Sequence, residues 1–336
     1  MSILVTGGAG YIGSHVALEL LADGFDVIIL DNFSTGHRET VVALKGLRDS
    51  GGLPGKLDFV YGDTGDRELL SSLMGSGKVS SVVHLAAFSQ VGESMQKPGK
   101  YFDNNVARAI NVLDCMAEYG VNNIVFSSTA AVYGEPEEIP IRESNKVKPT
   151  NVYGASKLMV EELLRWYERI YGIRHVALRY FNAAGADSSA MIGEWHEPET
   201  HLIPLVIQRV MGLRDKLVVF GDDYDTKDGS CIRDYIHVSD LARAHVLALE
   251  ALSGGMASRT YNLGNGSGYS VKEVIQVVSE VVSRTVPYEI GERRTGDPAV
   301  LLASSDKIRD ELGWKPQLPD LADIVLSAWK WHSKKR

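Results

Sequence analysis

Cysteine is scarce: two residues, Cys115 and Cys231, in a chain of 336. They lie far apart, with no CxxC pair and no histidine cluster. Neither a disulfide framework nor a metal site such as zinc is expected, and a reducing compartment is the natural setting. Positive charge is also in short supply, with 35 Lys and Arg against 43 Asp and Glu and a net charge of -8. Such a chain is not expected to bind nucleic acid or an anionic membrane. A phosphate-bearing small molecule stays open to it, because a few local arginines suffice. No apolar run approaches the roughly 20 residues of a membrane span. The opening MSILVTGG has no basic lead-in and no apolar stretch of signal-peptide length, so a cytoplasmic protein is the expectation.

What is present is ordinary in bulk. Hydrophobic residues at 44% and charged residues at 23% fit a globular chain, and the length suggests one large domain or two unequal lobes. Its first half alternates apolar strand-like runs with amphipathic stretches of helical length. The runs fall at Ile3–Val5, Val27–Leu30, Phe59–Tyr61, Val82–Leu85, Ile124–Phe126 and Val176–Leu178. Helical patterns include Ile12–Leu21, Tyr101–Tyr119 and Tyr153–Tyr171. Strand, helix and strand repeated in this way predict an α/β fold with a doubly wound parallel sheet. The runs do not alternate in and out, as a sheet buried on both faces requires.

After Phe181 the pattern loosens into two long polar segments, Asn182–Thr200 and Gly221–Ser230. Loops of that length inside a compact chain usually serve function. Short strands are expected at Leu217–Val219, Thr260–Leu263 and Val286–Glu289. The predicted division is a Rossmann domain over 1–181, with segments near 232–265 returning to it, and a smaller mixed α/β substrate lobe over 182–336.

The first strand runs into Thr6-Gly7-Gly8-Ala9-Gly10-Tyr11-Ile12-Gly13, directly ahead of a helix. Glycines at 7, 10 and 13 permit a sharp turn, close approach to a pyrophosphate and tight packing of helix on strand. The helix start offers free N–H groups, at Tyr11 and Ile12 among others, and the positive end of its dipole. A glycine triplet alone is weak evidence. Here a strand precedes it, a helix follows, and the second strand ends in Asp31-Asn32. An acid there binds ribose hydroxyls and repels a 2′-phosphate, which selects NAD over NADP. Later strand ends carry Asp63, which could accept from the adenine amino group or cap the helix near Asp66, and the small run Leu85-Ala86-Ala87. Asn104 and Asn105 follow on the next helix.

The fifth strand ends in Ser127-Ser128-Thr129, and Tyr153-Gly154-Ala155-Ser156-Lys157 follows on a helix. Tyr and Lys four apart share one helix face. A free phenol, with a pKa near 10, is a poor base at neutral pH. A neighbouring ammonium and an oxidised nicotinamide would both favour phenolate. A shift of about three units needs roughly 4 kcal/mol, which two positive charges in a dry cleft can supply. Thr129 stands where a hydroxyl can bridge substrate and Tyr153. Such a pair by itself is more often an exposed helix face; behind this glycine loop and strand pattern it reads as catalytic.

At this point the chain resembles the extended short-chain dehydrogenase/reductase family, and within it the UDP-galactose 4-epimerase branch, over essentially its whole length. The resemblance rests on TGGAGYIGSH (6–15), VGESMQK (91–97), FSSTAAVYG (126–134), YGASK (153–157), RYFN (179–182), RDYIHV (233–238) and Gly296-Asp297. It implies an NAD-dependent interconversion of UDP-glucose and UDP-galactose, in a homodimer paired through helices such as Tyr101–Tyr119 and Tyr153–Tyr171. Thr64, Asn104, Ser127 and Tyr180 are implied beside the cofactor. Asn182, His201, Leu202, Phe220, Arg233, Tyr235, Arg294, Asp297 and Leu301 are implied around the UDP-sugar. The two arginines also make physical sense as fork-shaped donors for a pyrophosphate.

The chain departs from the branch at Ser89, where many epimerases carry Lys, and at His201, where Asn is frequent. Leu301 falls at the place that gates the hexose pocket. A bulky Tyr there excludes N-acetyl sugars and small residues admit them, so Leu implies a hexose preference with leakage toward UDP-N-acetylglucosamine. A 4,6-dehydratase needs an acid–base pair after the threonine; Ala130 and Ala131 cannot move protons. A UDP-glucuronate enzyme would need an extra cation for the C6 carboxylate; none is obvious in the sequence, but loop residues could supply one, so that activity stays the alternative. A non-catalytic NAD sensor is opposed by the intact Thr129, Tyr153 and Lys157.

Overall fold

The computed structural model describes residues 1–294 and 297–334. Gly296, half of the Gly-Asp motif, lies outside the described residues. In chain order the strands are β1 (Ser2–Thr6), β2 (Asp26–Asp31), β3 (Leu57–Tyr61), β4 (Val79–His84), β5 (Asn123–Thr129), β6 (Arg174–Tyr180) and β7 (Asn182–Ala184). There follow β8 (Val218–Phe220), β9 (Ile232–His237), β10 (Arg259–Leu263), β11 (Gly268–Ser270), β12 (Glu289–Gly291) and β13 (Val300–Leu301).

Seven strands form one parallel sheet in the order β10-β6-β5-β4-β1-β2-β3. The first strands contain Val, Ile and Leu in unbroken runs, and both faces are covered by helices. The helix Tyr11–Ala22 buries Val16, Ala17, Leu20 and Leu21 in the same core as Ile3, Val5, Val27 and Ile29. At roughly 25 cal/mol per Å² of apolar surface, each such side chain contributes about 1.5–3 kcal/mol. The edge strand β3 departs from the expectation of two buried faces: Tyr61 is exposed there, where β3 ends the sheet among the described residues.

Strand order reverses between β1 and β4. Their carboxyl ends therefore open a crevice, the place where ligands settle in sheets of this kind. The opposite edge is closed by β10, a strand from the second half of the chain, which pairs with β6. The helix Val238–Ser253 returns with it and buries Leu241, Val246 and Leu249 in that core, packed against the helix Tyr11–Ala22 and strands β5 and β6. A second sheet centres on β9, flanked by β11, β13 and β7, with β8 and β12 as a separate parallel pair. Its helix Val271–Val281 starts in a capping box made by Ser270 and Glu273, which satisfies two end N–H groups reciprocally.

One expected helix is divided. The stretch Tyr101–Tyr119 resolves into Pro98–Phe102, a π-helical turn over Asp103–Ala107, and Arg108–Tyr119. The wide turn coincides with buried Asn105, whose side chain bonds the Phe88 backbone on both its N–H and C=O and the Ser156 hydroxyl. Insertions of this kind often mark functional sites. Strand ends also shift, as with β12 at Glu289–Gly291 rather than Val286–Glu289, because pairing with β8 defines it.

Candidate active site

The glycine loop fits a dinucleotide on steric grounds. Gly7 has φ +72°, and a Cβ there would lie 2.7 Å from the Ala86 nitrogen. A Cβ on Gly13 would come 2.2 Å from the Gly7 carbonyl oxygen. Only bare backbone lets β1, the loop and Leu85–Ala87 crowd together at the crevice. The helix begins at Gly10 with no side-chain cap, so its first N–H groups face the loop mouth, where a phosphate would accept from them.

At the end of β2, Asp31 is buried. It accepts from the backbone N–H groups of Ala9 at 2.9 Å and Phe33 at 2.8 Å. Burial raises its carboxyl above the ordinary value, and those two bonds oppose the rise. Asn32 donates to Asp63 at 2.5 Å, Gly65 N–H donates to Asp63 at 2.6 Å, and Arg108 forms an ion pair with it. The capping role belongs to Asp66, which accepts from Leu69 N–H at 3.0 Å; Asp63 is a hub instead. Thr64 is buried behind it. Asn104 donates to Asn105 at 3.0 Å, so the inward-facing member of that pair is Asn105.

The catalytic candidates meet at the ends of β5 and β6. Asn151 caps the helix Val152–Tyr171 by accepting from Gly154 N–H at 2.8 Å, which sets its first turn against β5. Tyr153 is half-buried and hydrogen-bonded through its side chain to Thr129. Lys157, 2% exposed, donates to the Ser127 carbonyl at 2.7 Å. Tyr180 lies alongside, bonded to Ser127 and 2.6 Å from His245 Nε2.

The expected lowering of the phenol by its lysine is not found in the protein alone. Burial pushes Tyr153 up to about 12, with the Thr129 hydrogen bond pulling the other way. Burial also pulls Lys157 down to about 7. Desolvation outweighs their mutual influence, so phenolate formation falls to another positive charge in the cleft. A stability effect follows. Between about pH 7 and the ordinary lysine value of 10.5, the unfolded chain holds a proton on Lys157 that the folded chain does not, so stability rises with pH. The urea midpoint of cofactor-free protein should climb from pH 7 to 9, by an equivalent of about 2 kcal/mol, and Lys157→Met should flatten that climb.

On the second sheet, Arg233 pairs with Asp297 and donates to the Ile232 carbonyl at 2.7 Å. The Arg294 guanidinium lies 4.1 Å over the Phe220 ring. Asn182 donates to the Asp234 carbonyl at 2.8 Å and stands in register with buried Tyr235. Leu301 pairs with Arg233 and packs on Val132, Tyr133 and Ile141. A cleft lined by Tyr224, Arg294, Asp297 and Val300 opens beside these residues. Leu202 opens the helix Leu202–Val210. Its neighbour His201 is engaged with Glu194 and Glu199. Burial alone would lower this imidazole, but the two carboxylates carry it up to about 10.

Several contacts escaped the sequence reading. Arg108 at Asp63 and Asn105 at Ser156 join residues 45 and 51 positions apart. Arg179 and Glu161 form a buried pair behind Thr129. The expectation of no histidine cluster is also corrected: His196 and His201 converge with Glu194 and Glu199. A repeated Glu-x-His, at 194–196 and 199–201, is the signal that could have shown it.

The chain belongs to the NAD dependent epimerase/dehydratase family, whose model matches residues 3–264. More particularly, it is 51% identical over 334 residues to a UDP-glucose 4-epimerase of Halalkalibacterium halodurans, covering 99% of this chain and 96% of that one. A UDP-glucose-4-epimerase structure from Stenotrophomonas maltophila with bound NAD and formylated UDP-arabinopyranose superposes with a TM-score of 0.95 at 41% identity, covering 100% and 98%. The UDP-Glc/GlcNAc 4-epimerase from Campylobacter jejuni superposes with a TM-score of 0.85, also at 41% identity, covering 99% and 99%.

Proposed function

We propose that this chain is a UDP-glucose 4-epimerase, an NAD-dependent isomerase that inverts the C4 centre of a UDP-hexose. The observation that carries the reading is Tyr153 bonded to Thr129 and one helical turn from buried Lys157, at the crevice end of the sheet. Whole-chain similarity to UDP-glucose 4-epimerases supports it. NAD held on the glycine loop supplies a hydride acceptor, and afterwards a hydride donor, at the sugar C4.

Tyr153 takes the proton from the 4-hydroxyl and later returns one. Thr129 donates to the phenolic oxygen and so favours its charged form. Lys157, fixed by the Ser127 carbonyl, would hold the nicotinamide ribose through its amine. Arg233 and Arg294 grip the pyrophosphate as forked donors, with Asp297 orienting Arg233. The 4-keto sugar turns about that anchored linkage and presents its other face. Ala130 and Ala131 follow Thr129 in a short 3₁₀ turn and offer no acid–base pair, which disfavours dehydration.

The direct test is incubation with UDP-galactose and identification of the product, beside a 340 nm scan after adding UDP-glucose. UDP-glucose formation with a reduced-nicotinamide signal is expected; absence of both would leave an NAD-binding sensor. Leu301 should give a preference for hexose with measurable turnover of UDP-N-acetylglucosamine. Equal kcat/KM for both sugars, or no turnover of the acetylated one, would contradict that gate.

A homodimer in the cytoplasm completes the proposal. Buried, unpaired Cys115 and Cys231 suit a reducing compartment. Met159, Trp166 and Ile170, spaced seven and four residues apart, leave exposed apolar side chains on one face of the helix Val152–Tyr171, the kind of surface that marks interfaces. Trp166→Glu is expected to shift the chain from dimer to monomer in light scattering; an unchanged mass would place the interface elsewhere.

A further inference from the structure

Ahead of the helix Leu202–Val210 lies a cluster of four side chains, of which the family resemblance sets only His201 beside the UDP-sugar. Glu194, His196, Glu199 and His201 present one donor atom each, all within 4.8 Å of one another. His201 Nδ1 is 2.8 Å from Glu194 Oε1 and 3.1 Å from Glu199 Oε1. His196 Nδ1 is 3.3 Å from Glu194 Oε1 and 3.8 Å from Glu199 Oε2. Zinc bonds to N and O ligands are about 2.0–2.1 Å long, so the edges of a tetrahedral site are about 3.3–3.4 Å. Taken on Glu199 Oε1, the separations of 2.8, 3.1 and 3.3 Å lie at or just below that edge.

A second observation points the same way. The Glu194 side chain is 4% exposed, yet its Oε1 accepts no hydrogen bond of acceptable angle, and His196 Nδ1 is likewise unsatisfied. That oxygen is left with the charge of two nearby imidazoles but no well-aligned hydrogen bond, which is costly for a buried carboxylate. A cation at the centre would satisfy both atoms at once. The surroundings fix the ligands in the manner of known metal sites, where outer partners orient the inner ones. Glu199 Oε1 accepts from the backbone N–H groups of Thr200 at 2.7 Å and His201 at 2.9 Å. The Glu194 carbonyl accepts from Trp331 Nε1 at 2.9 Å.

We propose that Glu194, His196, Glu199 and His201 bind a single divalent transition-metal ion of the zinc class. Two imidazoles and two carboxylates suit such an ion better than Mg²⁺ or Ca²⁺, which take oxygen alone. With all four positions filled by protein the ion is structural. It fastens the loop to the nucleotide side of the molecule. The His196 ring meets Tyr11 of the glycine loop edge-on at 6.2 Å, and Trp195 stacks on His37 at 3.6 Å.

The test uses the full chain, purified without a histidine tag and stripped with a strong chelator. Zn²⁺ titrated by calorimetry should bind at one per chain and raise Tm. Co²⁺ in its place should give the visible absorption of a four-coordinate ion. Glu199→Gln, nearly isosteric, should weaken Zn²⁺ binding at least about tenfold, and His196→Ala with His201→Ala should abolish it. No saturable binding by the stripped wild-type chain would overturn the proposal, as would undiminished affinity in the double variant. In either case the cluster is an ion-paired network of the protein's own charges.

Discussion

Tyr153→Phe should lower kcat for UDP-galactose at least about a hundredfold, since general acid–base help is typically worth 10²–10⁴. The substitution removes one oxygen and leaves the ring, so the helix Val152–Tyr171 and its Asn151 cap should be undisturbed. KM should change far less than kcat, because the phenol acts on the reacting hydroxyl and the nucleotide is gripped elsewhere. The size of the effect follows from the phenol's position. Burial holds Tyr153 near 12, so its use as a base depends on charges present only in the assembled complex. Thr129→Val should cost less, since it removes the hydrogen bond that favours phenolate but keeps the proton acceptor. Steady-state kinetics settle the matter: near-normal turnover of the phenylalanine variant would take Tyr153 out of the proposed role.

Glu161→Ala should be the most destabilising single change near the site, by about 3–5 kcal/mol. Glu161 and Arg179 are 2% and 3% exposed. Arg179 donates to both carboxylate oxygens, at 2.9 and 2.6 Å, and to the Tyr133 hydroxyl at 2.8 Å. Ser128 donates to Glu161 at 2.6 Å, and Tyr133 donates to Asn262 at 2.7 Å. Truncating the acid strands a buried guanidinium and a hydroxyl together, and the loss is that of an uncompensated charge. Ser128 immediately precedes Thr129, so the network also fixes the strand end that carries the Thr129 hydroxyl. A drop in the denaturant midpoint equivalent to less than about 1 kcal/mol, the range of surface ion pairs, would show that the pair is dispensable.

How much could be read beforehand depended on how far apart the interacting residues lie. Gly7, Gly10 and Gly13 around a strand–helix junction, and Tyr153 with Lys157 one turn apart, are local patterns whose geometry is fixed by the period of the element. The parallel sheet was equally plain, because doubly buried strands need unbroken apolar runs. Arg108 with Asp63, Arg179 with Glu161 and Asn105 with Phe88 were not legible, since nothing in the spacing announces which distant side chain will meet which. The π turn at Asp103–Ala107 was hidden for the same reason: its own residues fit an ordinary helix, and a tertiary contact accompanies the departure. His201 shows the limit from the other side. Read singly it was a residue implied beside the UDP-sugar, and its partners at 194, 196 and 199 gave it a second meaning only as a group.

The strand β10 and the helix Val238–Ser253 have a practical consequence for anyone recombining such chains. They are encoded in the second half but complete the sheet and core of the first. A fragment ending near residue 181 would leave the hydrogen-bonding edge of β6 bare, an invitation to edge-to-edge association. A chimera that exchanges carboxyl-terminal halves between homologues should therefore keep residues 238–263 with their original amino-terminal parent, so that the crossover points fall on either side of that segment rather than at a single seam.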